Sequence, residues 1–181
     1  MVYQVAHNIV SPLGFSTEEN YVSVLKGQSM LRPYAPGMRM HDACCASLFS
    51  EEQWQMLMLE GMTRFESLAI QSIQRALKQV PIDLHSPRII FILSTTKGNI
   101  ELLSCSEEGQ KRIEPGLAAA HIAHYFGFKT EPIVVCNACI SGASALILAQ
   151  RLLQTGAYDT AVVCGVDVQS PFILSGFHAF H

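Results

Sequence analysis

An α/β domain with a mostly parallel mixed sheet and helices on both sides is the fold class that the sequence predicts. Three short runs rich in β-branched residues indicate buried strands, at residues 88–93, 132–135 and 160–166. Longer segments with apolar residues at three- and four-residue spacing lie between them and predict helices. Strands that alternate with helices are typical of a layered α/β domain. The length of 181 residues is that of one domain, so we expect residues 1–181 to form a single unit.

Local signals place the remaining elements. Residues 3–10 predict a strand that ends in a turn at residues 11–14. Ser16 or Thr17 can cap a following helix. Residues 28–46 contain prolines and a glycine without a sustained period, which predicts a long irregular loop. Further helices are expected at residues 51–59, 64–80, 99–114, 117–126 and 140–155.

The composition excludes several classes of protein. Hydrophobic residues make up 49% of the chain and charged residues 15%. This balance predicts elements buried on all sides, an oligomer interface or a missing part that covers apolar surface. No apolar run reaches the roughly 18 residues that span a bilayer, and no signal-peptide pattern opens the chain. The net charge of −3 argues against nucleic acid and anionic membranes, and the six cysteines fit the thiols of a cytoplasmic protein.

The junction between the strand at 132–135 and the helix at 140–155 carries the most informative residue, Cys139. A helix N-terminus presents unpaired N–H groups and a partial positive charge of roughly +0.5, which favour a thiolate over a thiol. The same N–H groups can bind the oxyanion formed when a thiolate attacks an acyl carbonyl. The residues alone leave two interpretations open for Cys139, an acyl-accepting nucleophile or a buried structural thiol.

Cys136 and Cys139 also form a C-x-x-C pair, which is weak evidence for a redox or zinc site. Zinc would need two more ligands, which His121 and His124 on one helix could supply. We expect instead no metal, and we expect Cys136 to be a core thiol at the end of its strand. Cys164 lies within an apolar strand and predicts a second core thiol. A nucleophilic cysteine also needs a base or an electrophilic partner, and no histidine of the chain occupies a recognisable motif.

Several segments, in order, resemble motifs of one enzyme family, the β-ketoacyl synthases, which condense acyl groups in fatty acid and polyketide synthesis. Residues 137–142 (N-A-C-I-S-G) resemble the active-site motif T/N-A-C-x-S-G of that family. The match extends over the whole chain and is similar to the family's N-terminal half, which has the thiolase fold. The other matching segments are residues 10–14 (V-S-P-L-G), 25–29, 156–167 and 175–177.

The resemblance implies a function for particular residues. Cys139 would accept an acyl group from acyl carrier protein, and a malonyl donor would then lose CO₂ and condense with it. Phe177 would border the acyl pocket, and Thr95 and Thr96 would line the site. The resemblance further implies a homodimer through the strand at residues 132–136, and no metal or organic cofactor beyond the phosphopantetheine arm of the carrier protein.

The family is about twice as long as this chain, and its second half carries two catalytic histidines, a lysine and a loop that completes the oxyanion hole. We therefore expect a truncated chain, or a second chain that supplies the missing half. We also expect the 181-residue chain alone to be inactive in condensation. The alternative function is a non-catalytic partner or scaffold half of a condensing-enzyme complex.

Overall fold

The computed structural model describes residues 1–37, 43–104 and 110–180. Two 3₁₀ helices lie in these ranges, Ile100–Ser104 and Ala138–Ile140. The α-helices are α1 (Thr17–Leu25), α2 (Glu51–Leu57), α3 (Arg64–Leu77), α4 (Pro115–Phe126), α5 (Ser141–Gln154) and α6 (Pro171–His178). The strands are β1 (Leu31–Tyr34), β2 (Cys44–Ser47), β3 (Ile89–Ser94), β4 (Ile133–Val135) and β5 (Thr160–Gly165).

A parallel sheet of order β4-β3-β5 forms the centre of the molecule and confirms the predicted α/β class. Its central strand β3 is buried at every position, because helices cover both of its faces. Ile92 of β3 stands opposite Ile133 of β4 and Val163 of β5. The strand at residues 132–135 was predicted to be buried, but β4 is only half-buried since it lies at the sheet edge.

Side chains of β3 alternate between two cores, as expected for a strand covered on both faces. Phe91 and Leu93 pack with α3 and α4 on one face. Ile90 and Ile92 pack with α5 on the other face. The sheet is therefore held between helical layers, and its carboxyl edge is fixed in position. Among the described residues, no helix is both long enough and apolar enough to cross a membrane.

The N-termini of three helices are capped by side chains, and the cap predicted at Ser16 or Thr17 is Ser16. Ser16, Ser50 and Thr63 each accept a hydrogen bond from a backbone N–H in the first turn of α1, α2 and α3, respectively. Gly127 ends α4 with a φ of 73°, in the left-handed region that glycine adopts without strain. The predicted starts at residues 51 and 64 are confirmed, whereas α2 and α3 end at Leu57 and Leu77, before the predicted ends at 59 and 80.

The predicted strand at residues 3–10 is wrong in one respect. The turn at residues 11–14 is present, but no ladder joins residues 3–10 to another strand within the described part of the chain. Side chains hold the segment instead: Gln79 bonds the backbone of His7, and Asn8 donates to the hydroxyl of Ser72 at 3.2 Å. A β-strand requires a second strand that pairs with its backbone, and the hydrophobic periodicity of a segment does not show whether such a strand is present.

Two other predictions are corrected. Within residues 28–46, expected to be irregular, β1 and β2 form an antiparallel ribbon in which Leu31 pairs with Ser47. Pro33 lacks an N–H, and a two-stranded ribbon tolerates it because each strand has one free edge. The helix expected at residues 99–114 begins as the 3₁₀ helix Ile100–Ser104. Residues 38–42, 105–109 and 181 lie outside the described residues, so the predictions there stay untested.

A buried carboxylate connects α3 to α4 and to the segments after β3. Glu66 is fully buried, and its Oε2 lies 2.7 Å from the guanidinium of Arg112. Its Oε1 lies 3.1 Å from Nδ1 of His121 and accepts a hydrogen bond from Asn99. Burial by itself raises the pKa of Glu66. The hydrogen bonds of Thr63, Asn99 and His121 and the charge of Arg112 outweigh burial, so the pKa lies below its ordinary value of 4.5.

Replacing Glu66 with Gln should lower the free energy of unfolding by about 2 kcal/mol at neutral pH, because Arg112 then faces an uncharged partner. Since the folded-state pKa of Glu66 is lowered, its contribution is present above about pH 4.5 and is lost as the pH falls below that value. Urea denaturation across this pH range measures both effects. Glu60→Gln, at an exposed glutamate, is the matched control. Equal stability losses in the two variants would contradict the assignment.

Candidate active site

The carboxyl ends of the three parallel strands bring together two of the predicted site residues, Thr95 and Cys139, and two residues that were not predicted to belong to the site, Cys136 and Asp167. Thr95 follows β3, Cys136 and Cys139 follow β4, and Asp167 follows β5. Backbone hydrogen bonds extend the strand pairing to these ends. The N–H of Thr95 donates to Val135 at 3.2 Å, and the N–H of Val166 donates to Ser94 at 3.0 Å. Ligands of open α/β sheets bind at this edge.

Thr95 and Thr96 are fixed by the carboxylate of Asp167. The buried hydroxyl of Thr95 donates to Oδ1 of Asp167 at 2.8 Å and accepts from the N–H of Gly98 at 3.0 Å. The hydroxyl of Thr96 donates to Oδ2 at 3.2 Å. Thr95 is therefore a positioning residue for the loop after β3 and does not present its hydroxyl to the site. The half-buried Thr96 remains a candidate lining residue.

A strained turn at residues 136–140 places Cys139 between β4 and α5. Ala138 has a φ of 44°, and no other non-glycine residue among those described has a positive φ. Such a backbone costs roughly 1–3 kcal/mol and persists only where its surroundings enforce it. The hydroxyl of Ser141 does so: it accepts from the N–H of Asn137 at 2.8 Å and donates to the carbonyl of Ala138 at 2.8 Å.

The side chain of Cys139 is exposed, which favours the nucleophile over the buried structural thiol. It lies directly before Ile140, which occupies the N-cap position of α5. In the described structure, no side chain caps the N-terminus of α5 or of the 3₁₀ helix that contains Cys139. The positive end of the 14-residue helix α5 therefore begins next to Cys139 in the chain and carries no side-chain cap.

Cys136 was expected to be a core thiol, and the structure corrects this. Its side chain is exposed and its Sγ lies 3.9 Å from the carbonyl oxygen of Thr96, because β4 ends one residue earlier at the sheet edge. Cys164, in contrast, is buried as predicted. Burial raises the pKa of the Cys164 thiol to about 12, which keeps it protonated and unreactive at neutral pH.

The histidines considered as ligands or bases lie in other contacts. His121, one of the two candidate zinc ligands, is bonded to Glu66, and His85 Nδ1 lies 3.0 Å from the carbonyl oxygen of Gly127. Among the described residues, Cys139 has no hydrogen bond to a histidine, and no cluster of metal-ligating side chains is formed. Any base or electrophile for Cys139 has to come from outside these contacts.

Phe177 lies on α6, and its side chain is 68% exposed. Helix α6 packs against the 3₁₀ helix Ile100–Ser104, at the same end of the sheet as Thr96. The sequence reasoning missed two functional positions. Asp167 and Ser141 were not among the predicted site residues, because neither role follows without knowing which loops meet.

Comparison with known proteins agrees with this geometry. The family model for the N-terminal domain of β-ketoacyl synthases matches residues 5–181. The chain belongs to the β-ketoacyl synthase family. The sequence resemblance is thereby confirmed, and so is the thiolase-like layered fold of a ketosynthase N-terminal half. A comparison with curated protein sequences gave no match.

Solved ketosynthase structures share the fold at low identity. The ishigamide ketosynthase/chain length factor has a TM-score of 0.78 at 18% identity, covering 95% of this chain and 54% of its own. The ketosynthase ApeO in complex with its chain length factor ApeC, from Xenorhabdus doucetiae, has a TM-score of 0.73 at 22% identity, covering 97% and 50%. The ketosynthase AntDE with its acyl-carrier protein AntF has a TM-score of 0.76 at 15% identity, covering 97% and 48%. The chain thus spans about half the length of these relatives.

Replacing Thr95 with Val should lower the free energy of unfolding by about 2 kcal/mol, because a carboxylate oxygen of Asp167 and the N–H of Gly98 lose their buried partner. Thr96→Val is the matched control, and we expect less than half of that loss because Thr96 is only half-buried. Urea denaturation monitored by circular dichroism compares the two. A larger loss for Thr96→Val would contradict the role assigned to Thr95.

Proposed function

We propose that this chain provides the acyl-accepting half of a ketosynthase, with Cys139 as the nucleophile. The observation that supports it is the exposed thiol at a strained turn, directly before an uncapped helix N-terminus. Strain of this kind concentrates at functional sites. The exposure and the turn are separate from the sequence motif, so they support the nucleophile independently of the family resemblance.

The acyl transfer is a thioester exchange. The Cys139 thiolate attacks the carbonyl carbon of an acyl group carried on the phosphopantetheine of acyl carrier protein, forming a new C–S bond. N–H groups at the start of α5 stabilise the oxyanion of the tetrahedral intermediate. The intermediate collapses, the C–S bond to phosphopantetheine breaks, and that sulfur leaves as a thiolate and takes up a proton. No metal or organic cofactor takes part beyond the phosphopantetheine arm.

Condensation would follow at the same sulfur. Decarboxylation of a malonyl thioester gives a carbanion, which attacks the acyl carbonyl on Cys139, forms the carbon–carbon bond and releases the thiolate. This step needs donors that stabilise the enolate as CO₂ leaves. Among the described residues, no hydrogen bond joins Cys139 to a histidine, and His121 and His85 contact other groups. This step would therefore depend on donors other than the histidine contacts of the described residues.

The proposed acyl transfer also implies partners for this chain. Acyl carrier protein supplies the substrate, and the carrier-protein complex among the structural relatives supports this assignment. Strand β4 pairs with β3 on one side only and is half-buried, which supports pairing of residues 132–136 with those of a second chain. A chain length factor is the partner in two of the related structures. That pairing supports the alternative function, a non-catalytic scaffold half.

Iodoacetamide at neutral pH should label Cys139 at least about tenfold faster than Cys136, because only Cys139 stands at the helix N-terminus. Both side chains are exposed, so accessibility does not explain a difference. Peptide mass spectrometry after timed quenching measures the two rates in one sample, and the exposed Cys45 gives a third reference rate. Equal rates for the three thiols would favour the scaffold role and contradict the nucleophile.

The 181-residue chain alone should give no ketoacyl product when it is incubated with acyl- and malonyl-carrier protein. The physical reason is that, within residues 1–37, 43–104 and 110–180, no histidine is hydrogen-bonded to Cys139 as a donor for decarboxylation. Mass spectrometry of the carrier protein detects the product. A condensation product formed at a rate well above the Cys139→Ala control would show that the 181-residue chain suffices for the whole reaction.

A further inference from the structure

The hydrogen bonds of Asn137 enclose the proposed nucleophile, Cys139. The N–H of Asn137 donates to Oγ of Ser141 at 2.8 Å, and its carbonyl oxygen accepts from the N–H of Ile140 at 3.1 Å. Its side-chain amide donates to Oγ of Ser144 at 3.2 Å. The backbone and the side chain of this one residue are therefore bonded to three residues that follow Cys139 in the chain.

The bond to Ser144 differs from the other two in the part of α5 that it reaches. Ile140 and Ser141 lie at the N-cap and the first position of α5, where a helix end frays most easily. Ser144 lies further along the helix, is half-buried, and directly precedes Ala145, which is fully buried in the core on one face of the sheet. The bond between Asn137 and Ser144 thus connects the turn to a part of α5 that the core holds in place.

Helix capping does not explain the side chain of Asn137. Asparagine is favoured at helix N-caps because its side-chain oxygen accepts a hydrogen bond from a backbone N–H. Asn137 occupies that position before the 3₁₀ helix Ala138–Ile140, yet its side chain makes no cap bond there. The amide bonds Ser144 instead, seven residues further on. The contact across Cys139 is therefore the interaction that this side chain makes.

The turn benefits from such a contact because its backbone is strained and its thiol is exposed. Ala138 has a φ of 44°, which is unfavourable for a residue with a Cβ atom. The side chain of Cys139 is exposed, so its direction follows from the backbone on either side of it and not from packing in the core. Acyl transfer needs the sulfur aimed at a carbonyl carbon, and a misplacement of about 1 Å can lower a reaction rate roughly a hundredfold.

We propose that Asn137 and Ser144 are positioning residues for acyl transfer, and that their hydrogen bond holds the turn so that the thiol of Cys139 points at the incoming thioester. The inference rests on the proposed function of Cys139 and adds two residues to it. Both residues act through the backbone of the turn, so loss of their bond slows acyl transfer and leaves the thiolate unchanged. Iodoacetamide is small and reacts with a thiolate from many directions, so its reaction does not depend on the bond.

The experiment compares the unsubstituted chain with Asn137→Ala, Ser144→Ala, the double variant and Ser144→Thr, a matched control that keeps the hydroxyl. Asn137→Ala retains both backbone bonds of residue 137, and Ser144→Ala raises helix propensity, so neither substitution removes α5. Loading of Cys139 by hexanoyl-pantetheine is followed by peptide mass spectrometry at increasing thioester concentration, which gives a maximal rate and a half-saturating concentration. The rate of alkylation by iodoacetamide at neutral pH is measured on the same chains.

We expect each single alanine variant to lower the maximal loading rate about tenfold, while the half-saturating concentration and the alkylation rate stay within about twofold of the unsubstituted chain. The double variant should be no slower than either single variant, because all three lose the same bond. Ser144→Thr should load at the unsubstituted rate.

The proposal would be overturned by additive losses, by a loss in only one of the two single variants, by an equal loss in the alkylation rate, or by Ser144→Thr being as slow as Ser144→Ala. Unchanged loading in all variants would overturn it as well and would leave the proposed function of Cys139 intact. If the unsubstituted chain is not loaded on Cys139 at all, the proposed function fails and this inference fails with it. The two failures are therefore distinguishable in one experiment.

Discussion

The burial of β3 on both faces is the constraint on which the rest of the structure depends. Helices α3 and α4 cover one face of β3 and α5 covers the other, so the side chains of β3 are packed on both faces and the strand is fixed between the two helical layers. Parallel pairing then fixes the register of β4 and β5 against it, residue by residue. Because parallel strands share a direction, their carboxyl ends meet at one edge, and the loops that follow them come together there. The candidate site is a consequence of this arrangement.

At that edge, strain and hydrogen bonding act together. The left-handed backbone at Ala138 is unfavourable in isolation, and the Ser141 hydroxyl holds it by bonding both sides of the turn. The neighbouring loop is held differently, by the Asp167 carboxylate that binds Thr95 and Thr96. The result is a thiol that is exposed but fixed on rigid elements. A nucleophile that must meet a bulky thioester in one orientation requires both properties.

Much of the fold could be predicted from the sequence, because its signals are local. The capping residues Ser16, Ser50 and Thr63 bond to backbone N–H groups only three residues further on, so they mark helix starts independently of the tertiary fold. The sequence signals failed where strand pairing or burial depends on which other segment lies alongside. Residues 3–10 have the pattern of a strand but border a cavity beside β5 instead of pairing with a strand among the described residues. Cys136 follows a β-branched run that proves to be an edge strand.

The candidate site, too, was predicted only where local sequence signals determine it. The position of Cys139 between a strand and a helix follows from residue types on either side of it. The tie between Asp167 and Thr95 joins residues 72 positions apart, and it follows only from the strand order β4-β3-β5. The apolar composition, 49% hydrophobic, is explained by helices that are apolar toward the sheet and also outward, as at Leu146 and Ile147 of α5. Such a helix is typical of the middle layer of a larger assembly.

The central claim is that Cys139 accepts an acyl group, and covalent loading tests it most directly. The chain, together with its Cys139→Ala and Cys136→Ala variants, is incubated with a hexanoyl-pantetheine thioester, and the adduct is mapped by peptide mass spectrometry. The account predicts a single acyl group on the peptide that contains Cys139, retained in Cys136→Ala and lost in Cys139→Ala. An adduct on Cys136, or equal loading of the chain and Cys139→Ala, would contradict it.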